Sequence, residues 1–127
     1  MTRFFRTKCL MAAGAARSLR CLFRLSKDKD PIIRRKVAEN PLCPRELCAT
    51  LATDASADVR MAAALNKNSD IETRSLLASD GSPDVRFRIA STSYMPFSIL
   101  ESLTEDTNPY VRMRAEKTIS RIRATER

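Results

Sequence analysis

Asp28 to Asp54 reads DKDPIIRRKVAENPLCPRELCATLATD, and shifting this stretch by 26 residues lays it on the rest of the chain. Arg34, Arg60, Arg86 and Arg112 each follow a β-branched residue, Ile33, Val59, Val85 and Val111. The same shift superposes Asp28, Asp54, Asp80 and Asp106, and also Leu25, Leu51, Leu77 and Leu103, while Ala38, Ala64 and Ala90 form a small-residue column. Several columns agree without an insertion, and a period in this range marks an array of stacked repeats.

Each unit reads as two short helices. In residues 31–40, Ile33, Val37 and Ala38 share one face with charge elsewhere, NPLCP breaks the pattern, and Leu47, Cys48 and Leu51 lie on one face of a second helix over about 44–53. Pro44 and Pro96 suit the first position of that helix, and Asp70 in the same column suits a cap. The turn-rich, acidic stretches 54–58 and 80–84 favour a helix start after them. The expectation is an all-α fold, a right-handed α/α solenoid of 26-residue two-helix repeats. Residues 1–127 then form a single repeat domain: a degenerate basic cap over 1–27, full repeats over 28–53, 54–79 and 80–105, and a capping helix over 106–127. That last helix is expected over about 109–123 with Met113, Ile119 and Ile122 inward.

The pattern D-x-x-P/A-x-V-R, then x-x-A-x-N-P-x-x-P, then a Leu-rich helix and L-A-x-D, resembles the leucine-rich repeat variant family and the wider HEAT-like repeats over about residues 28–114. The resemblance implies that the Arg after each buried Val bonds to Asp or carbonyl groups of a neighbouring unit. It also implies that the second segment of a unit is an α-helix or a 3₁₀ turn. A member of the variant family carries an iron–sulfur cluster on clustered cysteines ahead of its repeats; the dispersed cysteines of this chain do not carry those ligands over.

Composition removes much of the enzyme vocabulary. The 127 residues contain no His, no Trp and two Gly, so imidazole-based triads, zinc sites and phosphate-cradling glycine loops have no material. Asp28 with Asp30 and Glu105 with Asp106 lie at turns, where capping is the ordinary role, and no nucleophile has an evident base beside it. No catalytic, cofactor-binding or metal-binding residue is expected, and no enzyme activity. Cys9, Cys21, Cys43 and Cys48 are separated by 11, 21 and 4 residues, which matches no metal framework and suits small core residues in a reducing compartment.

The net charge of +8 is uneven. Residues 1–27 hold Arg3, Arg6, Lys8, Arg17, Arg20, Arg24 and Lys27 with no acid, a balance of +7, whereas residues 28–111 have ten basic and thirteen acidic residues. Three readings of the first segment stand: a basic first-repeat helix over 15–25 with Leu19, Leu22 and Phe23 on one side and Arg17, Arg20 and Arg24 on the other, an Arg-rich organellar targeting peptide, and an amphipathic helix on an anionic membrane surface. No run is apolar for long enough to span a bilayer.

Regular columns separate scaffold from surface. Asp28, Arg34, Asp54, Arg60, Asp80, Arg86, Asp106 and Arg112 are expected to form a structural ladder. Arg35, Lys36, Arg88 and Arg114 add charge along the first helices, and the row Met61, Phe87 and Met113 is expected to be core. The expected function is a non-catalytic interaction or scaffold module that binds a partner segment along the second-helix row, Arg45, Ile71 and Phe97 with neighbouring Arg74. Arg17, Arg20, Arg24, Arg35, Arg88 and Arg114 are further partner-binding candidates, and the basic ends suit an acidic protein. The rival is a nucleic-acid-binding HEAT-like module using basic terminal and helix-face residues, opposed by the acidic middle and by aromatics too scattered to stack bases. The expected compartment is the cytoplasm, or an organelle if residues 1–27 are a targeting peptide.

Overall fold

The structure, a computed structural model, describes residues 3–12 and 19–126, and every regular element among them is helical. The chain groups into two compact units, residues 1–73 and 74–127. The first contains α1 (Arg3–Leu10), α2 (Leu19–Leu25), α3 (Pro31–Glu39), α4 (Arg45–Leu51) and α5 (Ala57–Leu65), and the start of α6 (Ile71–Leu77). The second contains the rest of α6, then α7 (Pro83–Ala90), α8 (Phe97–Leu103) and α9 (Pro109–Thr125).

Local chemistry sets these boundaries. Pro31, Pro83 and Pro109 open α3, α7 and α9, where the missing N–H has no intrahelical acceptor to lose. Asp30 caps α3 by accepting from the Ile32 amide, and Asn108 caps α9 through the Tyr110 amide at 2.9 Å. The second segments α4, α6 and α8 are α-helical and seven residues long, which decides between the α and 3₁₀ alternatives. Pro44 and Pro96 stand one place earlier than expected: with ψ of 160° and 137° they are extended and precede the first helical residue. A shift of 26 carries α2 onto α4, residue for residue.

In the first unit α3 packs on α5, on α4 and on both α1 and α2; in the second, α9 packs on α7 and α8. The repeat columns supply the core: Ile33, Val59, Val85 and Val111, then Val37, Ala63, Ile89 and Ala115, then Ala38, Ala64 and Ala90, all buried. Leu22, Cys48 and Leu100 fill the second-helix column, and Cys21 and Cys43 are likewise core. One row departs from expectation. Phe87 is 41% and Met113 53% exposed, and Met61 is half-buried, so this row lies at the surface rather than in the core. In a helix a residue two places after the buried Val turns about 200° away from it. Of the residues expected inward on α9, Ile119 is buried and Ile122 half-buried.

Two sets of polar contacts recur with the repeat. Arg34 donates from Nε and Nη2 to both carboxylate oxygens of Asp54, at 2.8 and 3.1 Å, and from Nη1 to the Asp28 carbonyl at 2.7 Å. Arg86 repeats this with Asp106 at 2.9 and 3.3 Å and with the Asp80 carbonyl at 2.6 Å. Arg60 and Arg112 donate to the carbonyls of Asp54 and Asp106. Each Asp also accepts the amide two residues on, Asp30, Ser56, Ser82 or Asn108, and so fixes the turn before the next helix. The second set has no counterpart in the sequence expectations. Asn40 donates to the Ala12 carbonyl and Asn66 to the Ala38 carbonyl, both at 2.8 Å, and Thr118 to the Ala90 carbonyl at 2.6 Å. All three span 28 residues and satisfy a helix-end carbonyl of the preceding repeat.

Candidate functional site

Each unit carries a shallow groove beside its second helix. In residues 1–73, a groove of 470 Å³ lies between α4 and the start of α6, lined by Arg45, Glu46, Ala49, Asp70, Ile71 and Glu72. In residues 74–127, a groove of 330 Å³ lies between α8 and the second half of α9, lined by Phe97, Glu101, Thr104, Glu116, Ile119, Ser120 and Arg123. A shift of 52 residues, two repeats, carries Arg45 onto Phe97, Ala49 onto Glu101 and Ile71 onto Arg123. The grooves therefore occupy the same place in the repeat.

Local structure fixes their walls. The extended Pro44 and Pro96 begin α4 and α8 with Arg45 and Phe97 at the first helical position. Asp70 accepts from the Thr73 amide at 2.9 Å and so starts α6 with Ile71 and Glu72 facing solvent. Its carboxyl is held below the usual value by the Thr73 amide and hydroxyl, with a smaller contribution from the charge of Arg45. Arg45 lies 3.7 Å from Glu46. In the second groove the Arg123 guanidinium sits 5.6 Å from the centre of the Phe97 ring, a cation–π distance.

The charge of the walls is acidic. Glu46, Asp70 and Glu72 face one cation, Arg45, and Glu101 and Glu116 face one cation, Arg123. Each groove also offers one large exposed apolar side chain, Ile71 or Phe97. Such a surface suits a segment that brings a cation beside an apolar group, and it repels a phosphate backbone.

The structure thus brings together Arg45 with Ile71, and Phe97 with Arg123, and disperses the other sequence candidates. Arg74 stands in the column of Leu22, Cys48 and Leu100, is half-buried, and lies 5.6 Å from the Tyr94 ring, so it lines neither groove. Arg35 pairs with Glu39 at 3.2 Å along α3, Arg88 is exposed on α7, and Arg114 is half-buried on α9. Arg20 and Arg24 are exposed on α2, and Arg17 lies outside the described residues. Arg123, Glu101 and Glu116 were not among the sequence candidates. The 26-residue shift from Phe97 leads to Arg123, but the unbroken run of α9 hides the start of a second-helix segment within it.

Cys43 and Cys48 are both buried with their sulfurs 3.6 Å apart, and the Cys43 thiol is pushed far up by its bond to Cys48 and by burial. A thiol held protonated is a weak nucleophile and a weak metal ligand. Among the described residues no group of three or more Cys, Asp or Glu is placed to hold a metal, and no helix is long and apolar enough to cross a membrane. No family model matches this chain, and neither a curated protein nor a solved structure does.

Proposed function

We propose that this chain is a non-catalytic protein-binding module, a right-handed α/α solenoid of the leucine-rich repeat variant or HEAT-like kind, whose grooves each bind a partner segment. The observation that carries this reading is the recurrence of a groove at one place in the repeat, formed by Arg45 and Ile71 and again by Phe97 and Arg123. Helix-on-helix packing of α3 with α5 and of α7 with α9, and the recurring Arg–Asp pairs, support the solenoid reading. The acidic walls favour a partner segment that pairs Lys or Arg with an aliphatic or aromatic side chain. Walls already fixed by caps and prolines cost little ordering on binding.

A random-peptide display library selected against the purified chain tests the reading. Enriched peptides should carry basic and apolar residues together, and Ile71→Ala and Phe97→Ala should each weaken them by roughly tenfold. Enrichment of peptides indifferent to both substitutions would count against the grooves. Tight, salt-sensitive binding of duplex or single-stranded nucleic acid, surviving in a variant with Arg20 and Arg24 neutralised, would favour the nucleic-acid alternative.

A further inference from the structure

The first two helices leave a surface that the groove reading does not use. On α1, Phe4 is 80% and Leu10 63% exposed, and Arg3 and Arg6 are exposed beside them. On α2, Leu19 and Phe23 are exposed one turn apart, with Arg20 and Arg24 one turn apart along the same exposed side. Residues 1–27 contain no acid at all. Lys8 is already committed to Asp28 at 2.7 Å, a bond that ties α1 to the turn after α2. Arg3, Arg6, Arg20 and Arg24 have no ion-pair partner among the described residues.

We propose that the exposed side chains of α1 and α2 dock on an anionic lipid bilayer, with Phe4, Leu10, Leu19 and Phe23 entering the headgroup boundary and Arg3, Arg6, Arg20 and Arg24 meeting lipid phosphates and carboxylates. The combination of residue types selects this partner. Large apolar side chains in water beside unpaired cations are what an amphipathic helix uses at a charged membrane surface, where apolar insertion and charge attraction add. A nucleic acid would use the cations but leave all four apolar side chains in water. Both helices are held in place by the fold: Cys21, Leu22 and Leu25 are buried on α2, both helices pack on α3, and Asn40 bonds the Ala12 carbonyl after α1.

Flotation of the full chain with vesicles tests this independently of the grooves. Phosphatidylcholine vesicles with about 30% phosphatidylserine should bind the chain at least tenfold better than phosphatidylcholine alone, and roughly 0.5 M salt should remove most of the difference. The paired substitution Phe4→Ser with Phe23→Ser, at exposed positions, should lower binding about tenfold with an unchanged helical circular-dichroism signal and melting midpoint. Arg20→Gln with Arg24→Gln should do the same for the anionic vesicles alone, while Ile71→Ala and Phe97→Ala should leave vesicle binding unchanged. No vesicle binding, equal binding to both lipid compositions, or binding indifferent to Phe4 and Phe23 would overturn the proposal. So would a preference for an acidic peptide or duplex DNA over the vesicles at the same salt.

Discussion

Lys8 stands to Asp28 as Arg34 stands to Asp54: a cation bonded to a carboxylate twenty residues later, at 2.7 Å in the first pair and 2.8 Å in the second. Arg86 and Asp106 repeat the relationship at 2.9 Å. Lys8 lies 26 residues before Arg34, so the basic first segment takes part in the same ladder with a different cation.

The Arg34–Asp54 pair is the stronger kind. Its side chains are 16% and 11% exposed and its contact is two-pronged, so removing the guanidinium leaves a mostly covered carboxylate without its partner. Arg34→Ala should cost about 2 kcal/mol in urea unfolding, and Arg34→Lys, which loses one prong, an intermediate amount. A double-mutant cycle with Asp54→Asn should return a coupling of about 1 to 2 kcal/mol, whereas additive effects would mean that the pair is structurally idle.

Acid should loosen α1 before the rest. Asp28 is held below its ordinary value chiefly by the bond from Lys8, helped by the Asp30 amide. A carboxyl lowered in the folded state contributes fully above its unfolded value, about 3.9, and that contribution is lost as pH falls through the lower folded value. Amide exchange in α1, corrected for intrinsic rate, should therefore accelerate as pH falls from about 4 towards about 2, more than in α3. Lys8→Ala should give fast α1 exchange already at neutral pH and shrink the acid dependence.

Asn40 is 1% exposed and joins three backbone segments: its amide donates to Ala12, its side-chain carbonyl accepts from Leu42, and its backbone carbonyl accepts from Asn66. Asn40→Ala should cost about 2 to 3 kcal/mol, because it strands a carbonyl and an amide. Asn68→Ala, at an exposed residue, should cost less, and calorimetric melting of the two variants checks the order.

The exposed row can be tested against the core on one helix pair. Leu100→Ala, at a fully buried position on α8, should cost about 2 to 5 kcal/mol. Met113→Ala on α9 should stay within about 0.5 kcal/mol, as befits a residue 53% exposed. A Met113 cost comparable to that of Leu100 would restore Met113 to the interior.

What the sequence made legible was whatever recurs in residue type. The helices follow from spaced apolar columns, and the Arg–Asp pairs from two columns of opposite charge. The Asn40, Asn66 and Thr118 contacts were hidden because their acceptor is a backbone carbonyl, which no residue type announces, and because Thr replaces Asn late in the series. Arg74 stands in the column of Leu22 and Leu100 and is half-buried, a position that its charge conceals in the sequence. The grooves were half legible, as Arg45, Ile71 and Phe97, while their acidic walls come from neighbours outside that row: Glu46, Asp70 and Glu72 in one, Glu101 and Glu116 in the other.

The most direct test of groove binding is an NMR titration of the isotope-labelled chain with a selected basic–apolar peptide. Amide shifts should concentrate at Arg45, Ala49, Ile71 and Glu72 and at Phe97, Glu101, Ser120 and Arg123, and Phe97→Ala should weaken them. Shifts concentrated instead on the first-helix row of Arg35, Phe87 and Met113, with the groove amides unmoved, would contradict groove binding.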